Sequence, residues 1–146
     1  MNNHVPKLET CKKLKELGYP QDNREYDWDF NDKWLVWSTS SEYKPCSDER
    51  VAAPLATELL EWLPNELTFT NNNPQSMYRG IQYGFERLYI EKTKLYTVTY
   101  CNYTCTEGEL DKEEYHPTVA NTLPEALAQM LIYLVENKIV NFTKEG

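Results

Sequence analysis

Residues 122–139 read Thr122-Leu123-Pro124-Glu125-Ala126-Leu127-Ala128-Gln129-Met130-Leu131-Ile132-Tyr133-Leu134-Val135-Glu136-Asn137-Lys138-Ile139. The stretch opens with Thr and has Glu three residues later, which is the pattern of a capping box at a helix N-terminus. Its apolar residues form a stripe at helical spacing: Leu123, Leu127, Met130, Leu131 and Leu134. Further apolar residues widen this stripe, and a helix that is so apolar is buried on most sides. The sequence therefore predicts a C-terminal helix that packs on a sheet and on another helix or a second subunit.

Two more helices are predicted upstream from apolar residues at helical spacing. The first covers Leu8–Leu17 and is followed by Gly18, a typical C-terminal cap, and then by Pro20, which cannot continue a helix. The second covers Pro54–Leu63, where Pro suits the first turn, and it ends at Pro64. With the C-terminal helix, the sequence predicts three helices.

The remaining β-forming segments predict five to six strands, at residues 26–30, 33–38, 67–69, 77–83, 85–91 and 94–103. Short strands that follow one another closely favour hairpins, and hence a largely antiparallel sheet. The polar segments 38–50, 71–75 and 107–114 are predicted to be loops. We therefore expect one globular α+β domain over residues 1–146, with the sheet packed against three helices or enclosed in an α/β/α sandwich.

The hairpin over residues 85–100 has two possible registers. A three-residue loop would gather Leu88, Ile90, Tyr96, Val98 and Tyr100 on one face. Such a loop normally needs Gly or Asn in the left-handed conformation, and Lys92-Thr93 offers neither. An even loop, which pairs Tyr89 with Tyr96, is therefore favoured.

The even loop places an aromatic set with one arginine on a single face, and we predict that this set binds a partner: Phe85, Arg87, Tyr89, Tyr96 and Tyr100. Tyr and Arg are enriched among the residues that dominate interface energies. A second copy of the chain is the simplest partner, because homodimers are the commonest assembly. The alternative is that this face forms a second core layer beneath a helix.

Charge and composition exclude several classes of protein. The 146 residues contain 15 Lys+Arg and 23 Asp+Glu, which gives a net charge of −8. A nucleic-acid-binding domain usually presents a basic face, so direct binding of nucleic acid through stacking on Tyr and Trp is the least favoured function. No apolar run approaches the roughly 20 residues of a membrane span, and the N-terminal residues do not resemble a secretory signal. We expect a cytoplasmic protein with no membrane association.

No constellation of residues in the sequence carries an obvious chemistry. Asp27 and Asp29 alternate with Trp28 and are expected to lie on a solvated strand face. The four cysteines, Cys11, Cys46, Cys101 and Cys105, match no common zinc spacing and are expected to be free structural thiols. The sequence therefore predicts no catalytic residue, no bound cofactor and no metal ion.

Three stretches together resemble small phage and prophage proteins for which no activity is established: residues 8–21, 53–64 and 123–138. They cover about a quarter of the chain. The resemblance implies a bacterial or phage cytosolic setting and helices layered on a sheet. It carries no functional residue to this sequence.

Two functions remain in contention. The favoured one is a non-enzymatic protein-interaction protein of mobile-element origin, whose acidic surface binds a basic partner or mimics nucleic acid. The alternative is a small enzyme or small-ligand binder that uses a pocket between the sheet and the helices. Two or more buried carboxylates in one pocket would favour the enzyme, whereas a contiguous acidic face would favour the interaction protein.

Overall fold

The computed structural model describes residues 2–21, 26–29, 35–37, 50–70, 75, 77, 82–85, 87–106 and 109–142. A short 3₁₀ helix, Asn2–His4, precedes three α-helices: α1 (Leu8–Glu16), α2 (Ala56–Trp62) and α3 (Leu123–Glu136). The described strands are β1 (Tyr26–Asp29), β2 (Leu35–Trp37), β3 (Arg50–Ala52), β4 (Leu67–Thr70), β5 (Gln82–Phe85), β6 (Arg87–Lys92), β7 (Tyr96–Thr106) and β8 (Glu109–Ala120). The predicted α+β class is confirmed.

The strands form three antiparallel sheets, with the orders β2-β1-β3, β4-β5 and β6-β7-β8. The largest pairing is the hairpin between β7 and β8, whose strands are the longest in the described part of the chain. Gly84 in β5 lies so close to the carbonyl oxygen of Leu67 that a Cβ atom there would collide with it. The structure describes eight strands where the sequence predicted five to six, and these strands are divided among three sheets.

Helix α3 is the centre of the main core. Leu127, Met130, Leu131 and Leu134 are fully buried, as the predicted stripe requires. They pack with Val98 and Tyr100 of β7 and with residues of α1 and α2. The hydroxyl of Thr118 in β8 donates to the carbonyl oxygen of Ala126 at 2.9 Å, which joins the sheet to the first turn of the helix. The C-terminal helix is therefore confirmed as the element that covers the sheet.

Helix α1 also follows its sequence prediction. Cys11 and Leu14 are its buried residues, and the helix ends at Glu16. Gly18 follows with φ of +100°, a conformation that glycine adopts without strain. The amide N–H of Tyr19 then donates back to the carbonyl oxygen of Leu14 at 2.9 Å. Gly18 is thus the C-terminal cap that the sequence predicted.

The preferred register of the β6–β7 hairpin is wrong. In the structure Leu88 pairs with Tyr100, Ile90 with Val98 and Lys92 with Tyr96, so the loop has three residues, Thr93-Lys94-Leu95. None of these loop residues has a positive φ. The N–H of Thr93 donates to the carbonyl oxygen of Leu95 at 3.0 Å, and the loop closes without the glycine or asparagine that the general rule requires.

The predicted acidic loop at 107–114 is also wrong from residue 109 onward. Residues 109–114 belong to β8 and pair with residues 101–106 of β7. Strand β8 has a β-bulge, because Thr99 of β7 lies opposite both His116 and Pro117. His116 has φ of +40°, the left-handed conformation that one residue of a bulge often adopts.

Several predicted segments lie outside the described residues. These include residues 38–49 of the predicted loop, most of the loop at 71–75 and residues 78–81 of a predicted strand. Arg50, placed in the first of these loops, begins β3. Among the described residues, no helix is both long and apolar enough to cross a membrane.

Replacing Leu131 with alanine is expected to destabilise the protein by about 2–5 kcal/mol, because the side chain is fully buried and its removal leaves a cavity. The matched control is Leu60→Ala on α2, where the side chain is 36% exposed, and we expect a loss below about 1 kcal/mol. Urea denaturation followed by circular dichroism measures both. Equal losses for the two variants would contradict the packing of α3 described above.

Candidate functional site

The carboxylate of Glu125 is buried, with 4% of the residue exposed, although it carries an acidic group. One oxygen accepts the backbone N–H of Lys7 at 2.9 Å, and the other accepts the hydroxyl of Thr10 at 2.7 Å. The amide of Gln129 also donates to the second oxygen, at 3.0 Å. Lys7 is the N-cap of α1, so the carboxylate of α3 closes the N-terminus of another helix. Two helix N-termini therefore face one negative charge, which their dipoles stabilise.

Only half of the predicted capping box forms. The N–H of Glu125 donates to the hydroxyl of Thr122 at 3.4 Å, as expected for the N-cap. The Glu125 side chain, however, bonds to α1 rather than returning to Thr122. The local sequence pattern found the helix start, but nothing in it indicates a partner more than a hundred residues away.

The segment before α1 is held by further bonds to one carbonyl. The indole N–H of Trp28 donates to the oxygen of Pro6 at 2.9 Å, and the thiol of Cys11 contacts the same oxygen at 3.6 Å. Val5 and Trp28 belong to a second hydrophobic cluster, separate from the core around α3. This arrangement fixes the N-terminal segment between β1 and α3.

A cleft of about 670 Å³ opens beside this segment. Its lining combines apolar and charged residues: Val5, Leu8, Trp28, Lys7, Lys12 and Glu125. The ammonium of Lys12 forms an ion pair with Glu9 at 3.8 Å on the rim. The volume lies within the range of small-molecule pockets. Its one buried carboxylate has both oxygens occupied by protein donors, so the cleft offers shape and polarity but no free acid or base from Glu125.

Asp27 is the second buried carboxylate, and here the expectation of a solvated face is wrong. Only 1% of Asp27 is exposed, and it lies in β1, the central strand of its sheet. Its neighbour Trp28 is also buried. Asp27 does not line this cleft, so the cleft does not bring the two buried carboxylates together.

The five residues predicted to bind a partner do not form one face. The register gives Tyr96 and Tyr100 the same face as Leu88, while Tyr89 belongs to the opposite face. Tyr100 is fully buried, and its hydroxyl donates to the carbonyl oxygen of Pro64 at 2.6 Å. Burial raises the pKa of this hydroxyl well above its usual value. Tyr100 is therefore a core residue.

The other predicted residues have different surroundings. Phe85 ends β5 and lies 5.4 Å from the ring of Tyr115, and Tyr96 packs at the margin of the main core. Arg87 begins β6 and Tyr89 is half-buried in the same strand. Contact of any of these residues with a partner stays a prediction, but the single aromatic face does not exist.

Sequence reasoning also missed an aromatic row on the surface. The ring of Tyr115 lies 5.9 Å from that of Tyr133 on α3. The exposed imidazole of His116 is stacked on the same Tyr133 ring, at 3.4 Å between centroids and 7° between planes. His116 has a positive φ in the bulge, and its ring lies against α3. No pattern in the sequence predicts such a bulge.

The two cysteines that the structure describes with their side chains, Cys11 and Cys101, are both buried and free. Burial and, to a lesser extent, the nearby negative charge of Glu125 raise the pKa of the Cys11 thiol far above its usual value. Because the thiolate is the reactive form, we expect Cys11 to be unreactive in the folded protein. Within the described residues, no three His, Cys, Asp or Glu side chains are grouped to hold a metal ion.

Comparison of the chain with protein-family models, with curated proteins and with solved structures gave no match.

Replacing Glu125 with alanine is expected to lower the free energy of unfolding by about 2–3 kcal/mol, because a charged acceptor for two α1 donors is lost. Glu136→Ala, at the exposed end of the same helix, is the control and should change it by less than about 0.5 kcal/mol. A double-mutant cycle with Thr10→Val should give a coupling of about 1 kcal/mol. Strict additivity of the two substitutions would contradict the bond between them.

Cys11 and Cys101 are expected to resist alkylation in the native protein up to about pH 9, because both are buried and Cys11 holds its proton. Iodoacetamide labelling with and without urea, read out by peptide mass spectrometry, tests this. Both peptides should be modified only in urea. Rapid modification of Cys11 at pH 8 without denaturant would show that its site is open.

Proposed function

We propose that this chain is a non-enzymatic interaction protein of phage or mobile-element origin, which binds a basic partner through an acidic surface. The observation that supports it best is that the acidic segment belongs to strand β8. Residues 109–114 contain four carboxylic acids and one lysine, and they belong to a strand paired with β7. A net charge of −8 over the whole chain adds a long-range field of the same sign.

Strand geometry gives the backbone positions of these acids a regular spacing. Glu109, Asp111 and Glu113 occupy alternate positions of β8, and alternate positions of a strand lie about 6.8 Å apart. A repeated row of anions is the feature that a phosphodiester backbone offers to proteins that bind nucleic acids. The partner that fits is therefore a basic, nucleic-acid-binding protein of the host cell, whose site the acidic strand would occupy.

The binding of a small ligand remains a second candidate, on the basis of the 670 Å³ cleft beside Trp28 and Glu125. Its two lysines, two glutamates and apolar wall suit an amphipathic ligand of low molecular mass. Both carboxylate oxygens of Glu125 already accept hydrogen bonds, from Lys7 and Thr10. This argues against an acid–base role for Glu125.

The test removes negative charges from β8 and compares this variant with a control variant of the same net charge. The variant Glu109→Gln, Asp111→Asn, Glu113→Gln is compared with Glu16→Gln, Glu61→Gln, Glu66→Gln, three exposed acids outside β8. Both variants lose three negative charges. Immobilised wild type and control should retain the same basic proteins from a bacterial lysate, released by salt, whereas the strand variant should retain about tenfold less.

Each retained protein is then purified and titrated with the bait in competition with DNA. Displacement by DNA supports the proposal. Equal retention by the two variants, or retention of no basic protein, would contradict it. A small molecule released in stoichiometric amount when the native bait is denatured would favour the ligand-binding candidate instead.

A further inference from the structure

The two edges of the β6-β7-β8 sheet differ in how well they are protected. Strand β8 contains Pro117, which lacks an N–H, and has a bulge at His116 and Pro117 in its pairing with β7. Both devices are common protections of an edge strand against pairing with another chain. Strand β6 contains neither, and no described strand pairs with its outer side.

Apolar residues of β6 are left without full cover. Helix α3 packs chiefly over β7 and β8. On the helix-covered face, Leu88 is half-buried, whereas Ile90 remains 39% exposed. An edge with which no described strand pairs, and which carries a partly exposed isoleucine, is a surface suited to the addition of a strand.

The sequence of this edge is complementary to itself. Arg87-Leu88-Tyr89-Ile90-Glu91 has a basic residue at one end, an acidic residue at the other and apolar residues between them. We propose that β6 pairs antiparallel with β6 of a second copy of this chain, with the two Tyr89 residues opposite each other on a two-fold axis. The interface is then isologous, as in most homodimers.

This register satisfies the charges and the apolar residues together. Arg87 lies opposite Glu91 of the second copy, and Leu88 lies opposite Ile90, at cross-strand Cβ distances of about 4.5–5.5 Å. Both contacts occur twice because of the symmetry. A register shifted by two residues in either direction places Tyr89 across from Glu91 or across from Arg87. In both shifted registers, Arg87 and Glu91 no longer face each other.

The assembly forms one antiparallel sheet of six strands, three from each copy. The two α3 helices lie on the same side of it, because a two-fold axis perpendicular to the sheet preserves the faces. Ile90 of each copy is then covered by Leu88 of the other. This self-association uses β6 and does not depend on the acidic segment of β8.

The experiment exploits the symmetry of the charge pairs. Sedimentation equilibrium over a wide range of protein concentration is measured for wild type, Arg87→Glu, Glu91→Arg and the double variant. Each single substitution makes both pairs like-charged, and should weaken the dimer about tenfold. The double variant restores both pairs in reverse and should return to within about threefold of wild type.

Lys94→Glu is the matched control, since it changes the charge as Arg87→Glu does but lies in the exposed hairpin loop. It should leave dimerisation unchanged, and circular dichroism confirms that each variant is folded. A wild type that stays monomeric at about millimolar concentration would overturn the proposal. So would a dimer that tolerates both single substitutions, or a double variant as weak as the singles.

Discussion

The bond between Glu125 and the start of α1 is the constraint on which the arrangement of the helices depends. It joins the first turn of α3 to an N–H and a hydroxyl at the other end of the chain. A buried carboxylate is costly unless donors surround it, and here donors from α1 and from Gln129 do so. Because these donors have fixed directions, the carboxylate specifies how α1 meets α3 more narrowly than apolar packing alone would. The carbonyl oxygen of Pro6, next to this bond, accepts a hydrogen bond from the indole N–H of Trp28. This bond links the β2-β1-β3 sheet to the segment before α1.

The elements that could be predicted are those whose signals are local. The stripe of α3, the glycine after α1 and the threonine that caps α3 each act within a few residues of themselves, and all three appear in the structure. The partner of Glu125 could not be predicted, because it is fixed by how α1 packs on α3. The burial of Asp27 could not be predicted either, because alternation along a strand predicts one covered face, whereas the adjacent residues Asp27 and Trp28 are both buried in β1.

The candidate binding surface was predicted less well than the fold. Its prediction depended on whether the hairpin loop between β6 and β7 has an even or an odd number of residues. Changing a hairpin loop from two residues to three moves every side chain of one strand to the other face. The rule that favoured the even loop requires a left-handed residue in the three-residue loop, and Thr93-Lys94-Leu95 closes without one. The prediction of a loop at residues 107–114 failed for a different reason. The charge of this segment suggested a solvated loop, whereas residues 109–114 pair with β7 and form a strand.

The tie between α1 and α3 also has a consequence for how the chain acquires its fold. Synthesis proceeds from the N-terminus, so α1 leaves the ribosome long before the carboxylate that caps it exists. Until α3 emerges, the donors of Lys7 and Thr10 face water, and the apolar face of α1 lacks the helix on which it packs. Contacts between such distant parts of a chain slow folding, because a large loop must close before they form. Helix α1 is therefore among the last elements to be fixed in place, because its final packing waits for α3.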